Sequence, residues 1–219
     1  MKNNEDNIAW NMSSQEIEAK SFEIIETEFC HSHLNPNEWT IIRRLIHTTA
    51  DFSIAQLISF RFNPIEAGIN AIKKCSKIYC DSKMIKSGLS LEKLRKINHN
   101  YSENSIICHI SDPDIIKISK EKKITKALAS VEKAIPQLSN SIILIGNAPL
   151  ALAKIAKLTI EGKITPALII GMPVGFVNVI ESKELLKKTK IPAILIEGRR
   201  GGSTLAVATL HAIIECALK

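Results

Sequence analysis

Aromatic residues are scarce in this chain: Phe, Trp and Tyr together make up 5% of its 219 residues. Its core must therefore be aliphatic, built from Ile, Leu, Val and Ala. The scarcity also argues against a nucleic-acid groove, which combines positive charge with stacking platforms. Cysteine is limited to Cys30, Cys75, Cys80, Cys108 and Cys216, an odd set with no CxxC pair. No signal peptide is read, so reduced thiols and a cytoplasmic protein are expected. Cys30, His31 and His33 lie close together, but no second ligand cluster accompanies them and no metal site is expected. No apolar run is long enough to span a bilayer. The longest, at 192–196 and 205–214, are split by a charged, Gly-rich stretch, so no membrane partner is expected. Three motifs are missing as well: the GxxxxGK[ST] phosphate loop, the GxGxxG dinucleotide fingerprint and the GxSxG nucleophile elbow.

What is present is an ordinary globular composition, 45% apolar and 23% charged, with a formal net charge of +7. A basic balance points to an acidic partner such as a small polyanion. The densest lysine runs, at 117–126 and 183–190, read as solvated helix faces.

Residues 1–12 are polar and Asn-rich and are expected to form a flexible tail before one domain spanning 13–219. Helical patterning begins near Ser14, and a second helix follows Pro36, running from about Glu38 through Ile46. Asn63-Pro64 reads as a helix start, with Asn as N-cap and Pro at the first helical position. Short β-type runs then follow at 77–80, 105–110, 141–145, 167–170 and 193–196. Helical segments sit between and after them, near 91–98, 118–138, 150–160, 183–188 and 204–217. Continuous aliphatic strands alternating with helices imply a parallel sheet covered on both faces. The expected fold is a three-layer, doubly wound α/β structure with a mainly parallel five-stranded sheet, flavodoxin-like, carrying extra N-terminal helices.

In such a sheet the loops after the strands share the carboxyl edge, where doubly wound proteins bind ligands. Six of the nine glycines fall in the last three of these loops: Gly146, Gly171, Gly175, Gly198, Gly201 and Gly202. Glycine there permits close backbone approach to a ligand, and equally permits a tight turn. Gly201-Gly202-Ser203-Thr204 opens the last helix beside Arg199 and Arg200. Its free N–H groups and positive dipole end suit a carboxylate, although Ser203 would also serve as a plain N-cap. Asn147 can hydrogen-bond a ligand or brace its own turn. His47 stands near the end of an amphipathic helix, where a histidine can cap, pack or donate a proton near neutral pH. His109, at the end of a strand, is its best rival among the remaining histidines.

These segments resemble the precorrin-8X methylmutase family. The matching stretches are Ser21-Phe22-Glu23-Ile24-Ile25, Arg44-Leu45-Ile46-His47-Thr48, Asp81-Ser82-Lys83-Met84, Gly146-Asn147-Ala148-Pro149-Leu150-Ala151-Leu152, Gly171-Met172-Pro173-Val174-Gly175-Phe176-Val177, Glu181-Ser182-Lys183 and Gly198-Arg199-Arg200-Gly201-Gly202-Ser203. They occur in the family's order and cover nearly all the chain from about Ser14. The resemblance implies a cobalamin-pathway isomerase that moves one methyl group between adjacent carbons of ring C of a tetrapyrrole. The product would be hydrogenobyrinate, or cobyrinate from cobalt-precorrin-8. It implies a homodimer without a cofactor, with active sites at or near the subunit contact. His47 matches the family's catalytic acid. Ser21, Arg44, Asp81, Ser82, Lys126, Asn147, Gly171, Arg199, Gly201, Gly202 and Ser203 are the expected substrate-binding positions. Two departures stand out. Thr125-Lys126-Ala127 replaces the usual Thr-Arg-Ser and loses the bidentate fork, and His211 occupies a position where Asn is usual. The alternatives are a non-catalytic tetrapyrrole-binding protein and a flavin or nucleotide protein on the same fold.

Overall fold

The computed structural model describes residues 8–219. The expected tail over 1–12 therefore lies, at 1–7, outside the described residues. The first helix, α1 (Ser14–Glu28), starts from a capping box: the Glu16 N–H donates to Ser13 Oγ, and the Ser13 N–H donates to Glu16 Oε2. Pro36 opens α2 (Pro36–Thr49) behind the Asn35 cap, and Ala50 ends it in the left-handed region. Next come a 3-10 turn (Phe52–Leu57), β1 (Ile58–Arg61) and α3 (Pro64–Lys73). Asn63 occupies the N-cap position of α3 as expected. Its side chain makes no cap bond, however, and its backbone is left-handed at φ 51°.

The rest alternates: β2 (Ile78–Cys80), α4 (Lys83–Gly88), α5 (Leu91–Arg95), β3 (Ile106–Ile107), α6 (Pro113–Glu121), α7 (Lys126–Leu138), β4 (Ile142–Ile145), α8 (Pro149–Ile160), β5 (Leu168–Gly171), α9 (Val179–Lys187), β6 (Ala193–Ile196) and α10 (Ser203–Leu218). Two expectations are corrected here. The single helix expected over 118–138 is two, because Lys123 turns left-handed at φ 51° between α6 and α7. The strand expected over 105–110 is paired only at Ile106 and Ile107.

All the strands join one sheet in the order β1-β6-β5-β4-β2-β3. Five run parallel, and β1 pairs antiparallel with β6, Ile58 opposite Ile196. The sheet is thus six-stranded and mixed, not five-stranded. The extra edge strand reads Ile-Ser-Phe-Arg and is only half-buried, so it carries no aliphatic run that would announce it. Side chains alternate between faces. Ile142 and Leu144 pack with α1, α2, α3 and α10, whereas Ile143 and Ile145 pack with α7, α8 and α9. The molecule accordingly has three layers. Among the described residues, no helix is long and apolar enough to cross a membrane.

Candidate functional site

Counted in chain order, the parallel strands run 2-1-3-4-5, so the order reverses between β2 and β4. A crevice opens at such a switch point, at the carboxyl ends of the strands. Asp81 directly follows β2 at this point and is 1% exposed. Its carboxylate accepts from the backbone N–H groups of Gly146, Asn147 and Ala148 at 3.3, 2.8 and 2.7 Å. Burial pushes its carboxyl above the ordinary value, against the pull of those three donors. Asp81 is therefore occupied in shaping the loop after β4. That loop leaves the Asn147 side chain exposed at the crevice, with its backbone braced from below.

The glycines of the edge are used mainly where backbones meet. A Cβ on Gly146 would lie 2.6 Å from Ser203 Cα, so only glycine lets the β4 loop touch the start of α10. Gly201, at φ 154°, would drive a Cβ to 2.2 Å from the Met172 carbonyl oxygen. The neighbouring Gly202 N–H donates to that same oxygen at 2.8 Å, and the Gly175 N–H donates to Arg199 O. Gly171 is buried and faces Leu186 of α9. Ser203 is the first residue of α10 rather than its cap, and its Oγ lies 3.1 Å from Ser82 Oγ, which also caps α4. The loops after β2, β4, β5 and β6 are thus tied into one rim around the N-terminus of α10.

The last turn of α2 stands against this rim. Arg200 joins them: its guanidinium bonds Asp51 Oδ2 and Ser53 Oγ, both at 2.7 Å, just beyond the helix end. On one side of α2, Ser21, Ile24, Glu28, Ile46, His47 and Phe52 line a cavity of about 330 Å³. His47 is half-buried there, its ring edge-on to Phe22 at 5.3 Å. On the other side, Arg44, Thr48, Met84, Ser203, Thr204 and His211 surround a cavity of about 290 Å³. Arg44 bonds Glu18 and Glu215, each at 2.9 Å, clamping α1 and α10 to α2. Burial opposes the Glu18 carboxylate, but its bond to Arg44 holds its pKa below the ordinary value, and His47 adds to that field.

The structure thus brings Ser21 to His47, Arg44 to Ser203, and Asp81, Ser82 and Asn147 to the rim. Arg199 is exposed, its guanidinium 5.4 Å from the Phe176 ring centroid, and it forms no ion pair among the described residues. Lys126 opens α7, exposed, in the helix layer on the opposite face of the sheet from α2 and α10. Of the rival histidines, His211 accepts from the Ser90 N–H, and burial, with Lys93 and Arg44, pulls its pKa down to about 4. His109 bonds Asp112 at 2.8 Å through Nδ1, and its buried Nε2 has no partner among the described residues.

Sequence reasoning placed Lys183 in the matching Glu181-Ser182-Lys183 stretch but gave it no role of its own. It is 1% exposed, and its Nζ donates to the carbonyls of Gly198 and Arg200 at 2.8 and 2.7 Å. The expectation of a solvated lysine run fails at this residue. The signal was available, because Val179, Ser182, Lys183 and Leu186 fall on one helical face, the buried face of α9.

The model of one protein family, described as precorrin-8X methylmutase, matches residues 16–216. The chain is 46% identical to a cobalt-precorrin-8 methylmutase of Leptospira interrogans, covering 90% of this chain and 91% of the relative. It is 40% identical to a cobalt-precorrin-8 methylmutase of Priestia megaterium, covering 91% and 86%. The crystal structure of a precorrin-8X methylmutase from Thermus thermophilus superposes with a TM-score of 0.82 at 39% identity, covering 92% of this chain and 97% of that one.

Proposed function

The chain belongs to the precorrin-8X methylmutase family, a family of methyl-migrating isomerases of cobalamin biosynthesis, and we propose that His47 is the acid that drives its reaction. The observation that carries this reading is the placement of His47 beside Ser21, in a cavity at the helix end that Arg200 ties to the glycine-rich rim. His47 donates a proton to ring C, at the ring nitrogen in the metal-free substrate. The proton draws electron density from the ring, and one methyl group moves between adjacent ring carbons. Once the methyl has moved, the proton leaves the ring and returns to His47, so no atoms are gained or lost and the chain needs only an acid that recovers its proton and a mould. General acid catalysis contributes about 10²–10⁴-fold, and the mould supplies positioning and electrostatic preorganisation.

The names of the relatives favour cobalt-precorrin-8 as substrate, giving cobyrinate, with metal-free precorrin-8X and hydrogenobyrinate second. The substrate is a flat ring bearing acetate and propionate arms. The N-terminus of α10 and Arg199 suit its carboxylates, and Arg44 lines the neighbouring cavity while held by Glu18 and Glu215. Ser21, Ser82, Asn147, Gly201, Gly202 and Ser203 form the surface beneath it, on the foundation that Asp81 and Gly171 maintain. Lys126 offers one further cation. Neither cavity alone would enclose such a ring, and Val174, Phe176 and Val177 stand exposed beside the rim. Both points favour a homodimer in which the second subunit helps to cover the substrate.

The test is to incubate each substrate with the protein, follow the visible spectrum, and sediment the active species in parallel. Conversion of the cobalt form to cobyrinate at unchanged mass, by a species of twice the chain mass, is expected. Tight binding of both substrates without conversion would mean a carrier instead.

A further inference from the structure

Lys183 is a charged residue sealed inside the protein, and a buried ammonium is tolerated only where it is well bonded. Its bonds are unusual in their destination. Both run to one loop, between β6 and α10, at the carbonyls of Gly198 and Arg200. Those carbonyls flank Arg199, and the loop goes on to form the Gly201–Ser203 rim. Lys187, one turn along α9, adds a second tie to the same loop by bonding Glu197. On its outer side, the loop sends the Arg200 guanidinium to Asp51 and Ser53, directly after the helix that carries His47. A chain of contacts therefore runs from α9 through the loop to the end of α2.

We propose that Lys183 is a positioning residue for the methyl shift: it fixes the β6–α10 loop from beneath, so that Arg200 can hold the end of α2, and with it His47, in register with the rim. This rests on the reading of His47 as the acid. Burial, with help from Lys187 and against Glu197, draws the Lys183 pKa down to about 8. The fold thus retains this lysine at an electrostatic cost that an apolar residue would not carry.

The experiment is a double-mutant cycle on turnover of cobalt-precorrin-8, using Lys183→Met, Arg200→Ala and the double variant. Folded fraction is measured by circular dichroism at the assay temperature. Each single variant should lower kcat of the folded enzyme by about 10-fold or more, with KM changed by less than about 3-fold. The double variant should be no slower than Lys183→Met, to within about 2-fold, because both changes break one chain of contacts. Losses that multiply, or that merely follow the folded fraction, would overturn the proposal. If Lys183→Met does not fold, Lys183→Gln takes its place in the same cycle, under the same two outcomes. A folded His47→Ala variant that turns over at the parental rate would sink the reading of His47. The coupling between Lys183 and Arg200 is decided separately.

Discussion

His47 and His211 line different cavities on either side of α2, and their surroundings suit them to different work. His211 is boxed in by burial and two cations and takes a backbone N–H on its free ring nitrogen. With its pKa near 4 it is neutral wherever an acid would be needed, so it fills space and accepts a bond. The sign of its effect on stability follows. The unfolded chain binds a proton here from about pH 6.5 downward, while the folded chain does so only near pH 4. Stability from the neutral ring is therefore complete above about pH 6.5 and is lost as the pH falls toward 4. After a discount for partial exposure, roughly 2 kcal/mol is at stake. His211→Asn should shrink the drop in urea midpoint between pH 7.5 and pH 4.5. An unchanged drop would mean that other groups carry the acid sensitivity. His47 instead lies half-exposed at a cavity wall beside a hydroxyl and an aromatic edge, where a substrate can reach it. Asp81, expected at the substrate site on the family resemblance, has its oxygens filled by three backbone donors and so shapes the loop after β4.

At the scale of elements, the glycine-rich loops do two jobs, and the backbone decides which. Gly146 and Gly201 exist because neighbouring loops pass too close for any side chain. Gly146→Ala should therefore push the start of α10 away from the β4 loop. The expected cost is roughly 1–3 kcal/mol of stability, with a rise in KM, read by thermal unfolding and steady-state kinetics. A variant with parental stability and KM would show that the contact is slack. The strands β2, β4, β5 and β6 were legible because buried parallel strands are continuous aliphatic runs, and α8, α9 and α10 stood out between and after them, whereas α4 was not expected. The edge strand β1 was not, since two of its four residues are polar and its neighbour is a short 3-10 turn. The break between α6 and α7 was hidden because Lys123 adopts a left-handed turn with no glycine to mark it. Lys183 was read as part of a solvated lysine run, although its helical position places it among buried residues.

For the molecule as a whole, the net charge of +7 and the choice of which cations stay free are complementary. Arg43 and Arg44 are consumed by Glu18, Glu26 and Glu215, which lock α1 and α10 onto α2. Arg199 is left facing outward at the rim, where it can meet a carboxylate. The sequence made the rim visible through its glycines and arginines. It did not show that α1 and α2 build the wall carrying His47, because that wall depends on long-range ion pairs. The most direct test of the acid is to mix cobalt-precorrin-8 with the parent and with His47→Ala, and to record binding and turnover in the same samples. The account predicts a variant that folds, binds within a few-fold of the parent and turns over at least about 10²-fold more slowly. A folded His47→Ala variant that converts substrate at the parental rate would contradict it.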